Sequence, residues 1–203
     1  MKDRVSKHSL NLILGPDGRQ IDRFRFNDAC VVPINDEEFL VMGGNGERDR
    51  KRVTKYNVTS GQWSDLPAFK VGRLSPGCAL FTGGSSGDYV LIAGGITLDP
   101  YTSYGKSTEI YYIASGRSEI VGDLNRGRKH HALVTVESPK QTIYALGGNV
   151  GRLDNPKYDD GSTDTVEEWD ESTKTWKETS IKLNQKKARF GFLAVDSKVI
   201  CPN

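Results

Sequence analysis

A glycine doublet that follows a short apolar run occurs three times in this chain of 203 residues. The doublets begin at Gly43, Gly94 and Gly147, so they are 51 and 53 residues apart. A period of about fifty residues, with short strands and glycine punctuation, is typical of arrays in which one small sheet is repeated. The doublets therefore predict several copies of one sheet.

Each copy is predicted to contain four short strands, which we call a to d in chain order. Strand a opens with an arginine at Arg73, Arg128 and Arg189, and strand b is the apolar run that ends in the doublet. Strand c alternates apolar and polar residues, and strand d carries Trp63 or Trp176. No segment keeps an apolar period of 3.6 residues, so no helix is predicted.

Paired aromatic residues fix the alignment of the copies. Tyr56 and Trp63 are seven residues apart, as are Trp169 and Trp176. In the middle copy, Tyr111 aligns with Tyr56 through a shared Ser-Gly turn, and the tryptophan position is predicted to hold Ile120 or Val121. Such rings are expected to fill the gap between adjacent sheets.

The two ends of the chain match complementary halves of one copy. Residues 9–24 have the pattern of strands c and d, and residues 189–201 that of strands a and b. Complete copies are predicted at residues 25–66, 73–124 and 128–180. Pairing the halves would give a fourth sheet and close a ring that has no exposed lateral edge. The alternative is that the chain is a fragment of a larger ring.

The doublets, the aromatic pairs and the arginines that open strand a together resemble kelch-repeat proteins over about residues 9–201. The resemblance implies an all-β fold, a kelch-type β-propeller of four antiparallel four-stranded blades, one of them split between the termini. The chain departs from the pattern in the middle copy, which lacks its tryptophan, and at Cys201-Pro202, where glycines are due. By analogy, four arginines are expected to bond backbone carbonyls at the channel mouth, with binding of an acidic peptide as the alternative: Arg25, Arg73, Arg128 and Arg189.

Composition limits the partners that the chain can attract. The net charge of +2 gives no strong attraction to nucleic acid or to an anionic membrane. No apolar run approaches the roughly 18 residues that a membrane span requires. The three cysteines, Cys30, Cys78 and Cys201, are odd in number and widely spaced, which argues against a disulfide framework and favours a reducing, cytoplasmic setting.

Two motifs with chemical potential have simpler structural interpretations. Residues 83–87 match G-x-S-x-G, but the catalytic form of that motif needs a strand-to-helix turn, whereas here it joins two strands. His130 and His131 are neighbours on a strand, so their side chains point to opposite faces and cannot bind one metal together. We expect no metal, no cofactor and no catalytic residues.

The longest loops are predicted to lie on one face. If the four strands alternate in direction, the b–c and d–a connections share a face, and the b–c loops are long and irregular. Long loops on a rigid scaffold often carry recognition, and Arg and Tyr are enriched at binding hot spots. The candidate binding residues are Arg48, Arg50, Arg52, Tyr101, Tyr104, Arg128, Arg152, Tyr158 and Arg189.

The resulting hypothesis is a non-enzymatic protein–protein interaction module, an adaptor or scaffold that binds a protein or peptide through the b–c/d–a face. One alternative is a small-molecule enzyme on the same scaffold, such as a sugar mutarotase, because a fold alone does not settle function. A copper oxidase is disfavoured by the small number of histidines. A partial repeat array without an independent role is the remaining alternative.

Overall fold

The structure, a computed structural model, describes residues 28–46, 49–97, 103–137, 140–151 and 159–190. These residues form eighteen β-strands and no helix, so the prediction of an all-β, antiparallel protein is confirmed for them. Within the same residues there is no helix long and apolar enough to cross a membrane. The terminal segments predicted to form the split sheet lie outside this part of the chain, except Arg189 and Phe190.

Three four-stranded antiparallel sheets account for most of the strands, and each follows the chain order of strands a to d. Sheet 1 consists of β1 (Cys30–Pro33), β2 (Glu38–Met42), β3 (Val53–Asn57) and β4 (Gln62–Leu66). Sheet 2 consists of β6 (Gly77–Phe81), β7 (Tyr89–Ala93), β10 (Thr108–Tyr112) and β11 (Ser118–Val121). Sheet 3 consists of β13 (Ala132–Val136), β14 (Thr142–Leu146), β17 (Thr165–Asp170) and β18 (Thr175–Lys182).

Two small three-stranded sheets each join the opening strand of a copy to two strands of that copy's b–c segment. One contains β5 (Arg73–Leu74), β8 (Ile96–Thr97) and β9 (Ser103–Tyr104), and the other contains β12 (Arg128–Lys129), β15 (Asn149–Gly151) and β16 (Asp159–Ser162). The predicted strand a is therefore two strands in these copies. The break falls at Ser75 and His130, which have φ of 50° and 52° and so leave the extended conformation.

Sheet 2 is buried on both faces because it lies between sheets 1 and 3. Along β7, Val90 and Ile92 join a core cluster with sheet 1, whereas Tyr89 and Leu91 join a cluster with sheet 3. Successive side chains of a strand point to opposite faces, so all five residues of β7 are buried. This arrangement explains why the middle copy has the most continuous apolar strand.

The predicted aromatic residues fill both gaps between the sheets. Tyr111 packs towards sheet 1 and donates a hydrogen bond to the carbonyl of Pro67 at 3.0 Å. From sheet 3, Trp176 Nε1 donates to Thr108 Oγ1 at 2.8 Å, and Trp169 Nε1 donates to the Tyr89 hydroxyl at 3.3 Å. Each buried ring thus supplies apolar area together with a satisfied polar atom.

The tryptophan position of the middle copy was predicted incorrectly. Tyr111 pairs with Ser118, seven residues later, as Tyr56 pairs with Trp63 and Trp169 with Trp176. The hairpin keeps its length, so the cross-strand register is the same in all three copies. Ile120, which was expected in this position, is 51% exposed.

Cys30 in β1 and Cys78 in β6 are joined by a disulfide bond, with their Cα atoms 6.0 Å apart. The prediction against disulfides is wrong for this pair. The two cysteines are 48 residues apart, close to one repeat, and β1 lies beside β6, so equivalent positions of successive copies become neighbours. A bond of this kind typically stabilises a fold by about 2–4 kcal/mol.

The glycine doublets connect each copy to the next one. The second glycine of each doublet donates its N–H to a backbone carbonyl of the following copy: Gly44 to Arg73 (3.2 Å), Gly95 to Arg128 (2.8 Å) and Gly148 to Lys187 (2.7 Å). Lys187, rather than the predicted Arg189, therefore occupies the opening position of the last copy. Arg189 instead corresponds to Ser75 and His130, with a φ of 56°.

Replacing Gly94 by Ala is expected to destabilise the protein more than replacing Gly83 by Ala. Both glycines have positive φ, +64° and +66°. A Cβ at Gly94 would lie 2.5 Å from the Arg128 carbonyl oxygen, whereas nothing lies within 4 Å of one at Gly83. We expect a loss of about 1 kcal/mol for Gly83→Ala from backbone strain and about 1–3 kcal/mol more for Gly94→Ala from the clash.

Chemical denaturation of the two variants measures this difference, since the backbone penalty is shared and cancels. Equal losses of unfolding free energy would contradict the close approach between Gly94 and the next copy.

Candidate functional site

Each b–c loop is fastened to the d–a connection that follows it. The backbone N–H of the opening residue donates to a carbonyl at the end of the preceding b–c loop: Arg73 to Arg50 (2.9 Å), Arg128 to Gly105 (3.2 Å) and Lys187 to Thr163 (3.2 Å). We call the resulting surface the loop face. Its described residues are 43–46, 49–52, 67–72, 94–97, 103–107, 122–127, 147–151, 159–164 and 183–189.

A second hydrogen bond repeats in all three copies and holds the d–a connection. Phe69 N donates to Lys51 O at 3.1 Å, and Leu124 N donates to Lys106 O at 2.9 Å. Leu183 N donates to Asp164 O at 2.9 Å in the third copy. Phe69 and Leu124 are 2% and 1% exposed, so they anchor the connection in the core. The loop face is therefore backed by equivalent rigid contacts.

Five of the nine predicted binding residues fall within the described chain. The other four, Arg48, Tyr101, Arg152 and Tyr158, lie outside it. The described five do not form one patch with a single role, and they are taken in turn below: Arg50, Arg52, Tyr104, Arg128 and Arg189.

Arg50 and Arg52 lie on the loop face in the first copy, and both are half-buried. The Arg52 guanidinium forms a fork with Asp65, with Nε 2.9 Å from Oδ1 and Nη2 3.0 Å from Oδ2. A third contact joins Arg52 to Asp49 at 3.5 Å. Arg52 thus orders the loop through carboxylates of its own chain.

Tyr104 is not a surface residue. It lies in β9, is 7% exposed, and has the Lys129 ammonium 4.7 Å from its ring centroid. A cation over an aromatic face is attracted by the ring quadrupole. Tyr104 therefore joins the second b–c loop to the opening of the third copy.

Arg128 is buried, which excludes it as a direct contact to a partner. It is 1% exposed and is held by Glu167 Oε1 at 2.5 Å and by the Gly147 carbonyl at 2.9 Å. Burial lowers the pKa of Arg128, and the neighbouring Glu167 partly opposes that shift. The expectation that the opening arginines bond backbone carbonyls is confirmed for Arg128, and also for Arg73, which donates to Gly94 O at 2.8 Å.

Buried glutamates complete this arrangement, and the sequence analysis missed them. Glu167 accepts from the backbone and side-chain nitrogens of Asn125, at 2.7 and 2.9 Å. In the preceding copy, Glu109 accepts from the backbone nitrogens of Lys70 and Val71. Both glutamates are at most 1% exposed, and each precedes the strand c aromatic residue by two positions. The sequence signal that could have identified these glutamates is this shared spacing of two residues before the strand c aromatic residue.

Exposed cations outnumber exposed carboxylates among the described side chains of the loop face. Among the loop-face side chains whose burial is described, Asp123 is the exposed acidic group, and the neighbouring Asp65 in β4 is paired with Arg52. Six basic side chains are exposed: Lys51, Lys70, Lys106, Lys186, Lys187 and Arg189. Among the predicted binding arginines that the structure describes, Arg189 is the one that is fully exposed on this surface.

A chain of hydrogen bonds links four successive copies close to the loop face. Ser75 N donates to Asp28 O at 2.7 Å, His130 N to Ser75 O at 3.2 Å, and Arg189 N to His130 O at 3.0 Å. All four residues have positive φ. Ser75 Oγ also donates a hydrogen bond to Asp28 Oδ1 at 2.7 Å. The pKa of His130 is lowered by burial and by the nearby positive charges of Arg189 and Lys129.

A cavity of about 510 Å³ adjoins this chain of hydrogen bonds. Its walls come from the first long strand of each sheet, β1, β6 and β13, together with Phe190 of the last copy. The first long strands of three successive copies, together with one residue of the last copy, therefore border one space.

The structure shows the local contacts of the two motifs that the sequence singled out. The segment 83–87 is the hairpin connection between β6 and β7, where Gly83 N bonds to Asp88 Oδ1 at 2.8 Å. His131 is among the residues that border the cavity, but its ring nitrogens are buried, whereas His130 contacts Asp28 and Arg189. Within the described chain, no group of three or more His, Cys, Asp or Glu side chains could hold a metal ion.

No protein-family model and no curated protein sequence matches this chain.

Replacing Glu167 by Gln is expected to destabilise the protein by about 3–5 kcal/mol, because it leaves the buried Arg128 charge without its carboxylate. The matched control is Glu119→Gln, which removes a carboxylate 3.7 Å from Arg117 where both side chains are about half exposed or more. An exposed pair contributes less than about 1 kcal/mol. Denaturant unfolding measures both losses, and similar values for the two variants would contradict a structural role for the buried pair.

Proposed function

We propose that this protein is a kelch-type β-propeller that acts as a non-enzymatic interaction module and binds an acidic protein or peptide through its loop face. The observation that carries the proposal is the repeated clamping of each b–c loop onto the next d–a connection, which fixes a cation-rich surface on a rigid scaffold. Such a surface needs no induced ordering to present its charges to a partner.

The propeller assignment draws support from the way in which successive copies pack. Every described copy uses its doublet to contact the next one, and the first strands of the copies border the same cavity. In a ring of blades, the first strands are innermost and equivalent positions of neighbours face each other. The Cys30–Cys78 disulfide joins two such equivalent strands.

Closure by the two termini is part of this proposal. The aromatic row of sheet 3, Trp169 and Trp176, packs against the preceding sheet. The equivalent row of sheet 1 contains Phe39, Tyr56 and Trp63, with the Tyr56 and Trp63 ring centroids 4.6 Å apart. We propose that a fourth sheet, composed of residues 9–24 and 189–201, packs against this row.

The partner is proposed to be acidic because of the charge of the loop face. Within the described part of the loop face, the exposed lysines form no ion pair with the exposed carboxylate, Asp123. Opposite charge steers association and suppresses unsuitable partners. We propose no cellular compartment. The cysteine count no longer favours a reducing one, because Cys30 and Cys78 form a disulfide.

Reversing three exposed lysines of the loop face, in the combined variant Lys51→Glu, Lys70→Glu and Lys186→Glu, is expected to abolish partner binding. The matched control reverses three cations away from that face, Arg117→Glu, Lys140→Glu and Lys177→Glu, with the same change in net charge. Quantitative mass spectrometry of pull-downs compares both variants with the wild type. The proposal requires that acidic proteins enriched on the wild type are lost from the first variant and retained by the second.

The same set of proteins on both variants and the wild type would refute a role for the loop face. Equal loss on both variants would show that net charge, rather than this surface, determines the enrichment.

A further inference from the structure

The turn between β3 and β4 contains the tripeptide Asn57-Val58-Thr59, which has the pattern of an acceptor for an N-linked oligosaccharide. It is the single Asn-x-Ser/Thr match in the 203 residues. Because such a short pattern also arises by chance, its weight depends on the surroundings of the tripeptide. Three structural features bear on it: the exposure of the turn, the use of the Asn57 side chain, and the disulfide bond.

The turn is exposed where an oligosaccharide would be attached. Val58, Thr59 and Ser60 are exposed, Val58 by 52%, and Asn57 is partly exposed. The turn joins strands c and d of sheet 1, so it lies at the end of the sheet opposite the b–c loop. A bulky attached sugar would therefore extend into solvent and leave the loop face uncovered.

Asn57 caps the turn through its side-chain oxygen. Asn57 Oδ1 accepts hydrogen bonds from Ser60 N at 2.8 Å and from Ser60 Oγ at 3.0 Å. The third copy has Asp170 at the equivalent position of its strand c–d hairpin. Asp170 Oδ1 accepts from Ser172 N at 3.0 Å and from Thr173 N at 3.3 Å. Since a carboxylate caps the equivalent turn, the turn does not require the amide nitrogen of Asn57.

The amide nitrogen of Asn57 can carry a sugar and keep its contact with the sheet. Glu38 is the cross-strand neighbour of Asn57, and the Asn57 side chain lies within hydrogen-bonding reach of its carboxylate. A primary amide has two N–H groups, and attachment of a sugar replaces one of them. The remaining N–H can still donate to Glu38.

The disulfide bond between Cys30 and Cys78 indicates the compartment in which this modification occurs. Disulfides form and persist in secretory compartments and outside the cell, and they are rare in the reducing cytosol. Asn-x-Ser/Thr acceptors are likewise used in surface loops of secreted proteins. Two chemically unrelated features of this protein therefore point to one environment.

We propose that Asn57 carries an N-linked oligosaccharide, attached in an oxidising secretory compartment. In the transfer, Asn57 Nδ2 forms a bond to the anomeric carbon of the first sugar, and the bond between that carbon and the diphosphate of a lipid-linked oligosaccharide breaks. The lipid diphosphate leaves, and one amide proton passes to a base of the transferring enzyme. The inference does not depend on the loop face.

The protein isolated from its natural source tests the proposal directly. A peptide N-glycanase in ¹⁸O-labelled water releases the sugar and converts the linked asparagine to an aspartate that carries ¹⁸O. Mass spectrometry of tryptic peptides is expected to find this label at position 57. A sample incubated without the enzyme controls for spontaneous deamidation and is expected to lack the label. Unmodified Asn57 in the protein from its natural source would overturn the proposal.

Substitutions in the full chain, secreted from a eukaryotic host with an added signal peptide, test the acceptor itself. The wild type and Thr59→Ser keep the acceptor pattern, and the glycanase is expected to increase the electrophoretic mobility of both. Asn57→Asp and Thr59→Ala remove the pattern, and both are expected to migrate like the deglycosylated wild type. Asn57→Asp keeps the oxygen that caps the turn, as Asp170 does in the third copy. A wild type whose mobility the glycanase leaves unchanged, or a glycanase-sensitive shift that persists in Asn57→Asp, would refute the site.

Discussion

This structure depends on two hydrogen-bonding contacts, one from the backbone and one from the side chain, that the residue opening a copy makes. The backbone carbonyl of Arg73 accepts the N–H of Gly44 from the preceding copy, while its guanidinium donates to the Gly94 carbonyl of its own copy. Arg128 repeats both contacts with Gly95 and Gly147. One residue thus joins two successive doublets. Because a Cβ at Gly43 or Gly94 would come within 2.9 or 2.5 Å of the opening carbonyl, glycine is what permits the approach.

The loop face and the cavity both follow from this contact. The opening residue also bonds its own N–H to the preceding b–c loop, so the spacing between copies fixes the loops relative to one another. Two residues further on, the chain turns through a positive φ, and the next residue, His131 in the third copy, borders the cavity. A small shift between copies would therefore alter the recognition surface and the cavity together, since packed interfaces transmit displacement.

Sequence patterns predicted the strands well because they reflect local physics: glycine where φ is positive, alternation along strands, and aromatic pairs seven residues apart. Sequence patterns failed to predict a contact that is made by backbone atoms, because such a contact does not require a particular side chain. Lys187 opens the last copy through its backbone carbonyl, which accepts the Gly148 N–H and requires no particular side chain. An alignment based on arginine residues therefore selected Arg189 instead. The Cys30–Cys78 bridge was missed because cysteines were considered as isolated residues, although their separation of 48 is close to one repeat. The buried glutamates were missed because charge was taken to mean exposure, whereas Glu109 and Glu167 bond backbone N–H groups inside the protein.

The central claim is that the copies are arranged around one axis and that the two ends of the chain form a single sheet. Double electron–electron resonance between nitroxides at Asn11→Cys and Lys198→Cys, in a protein carrying Cys201→Ala, tests it most directly. Neighbouring strands lie about 5 Å apart, so with the label arms the account predicts a narrow distance distribution centred at about 20 Å. A broad distribution, indistinguishable from the one obtained in denaturant, would contradict the claim.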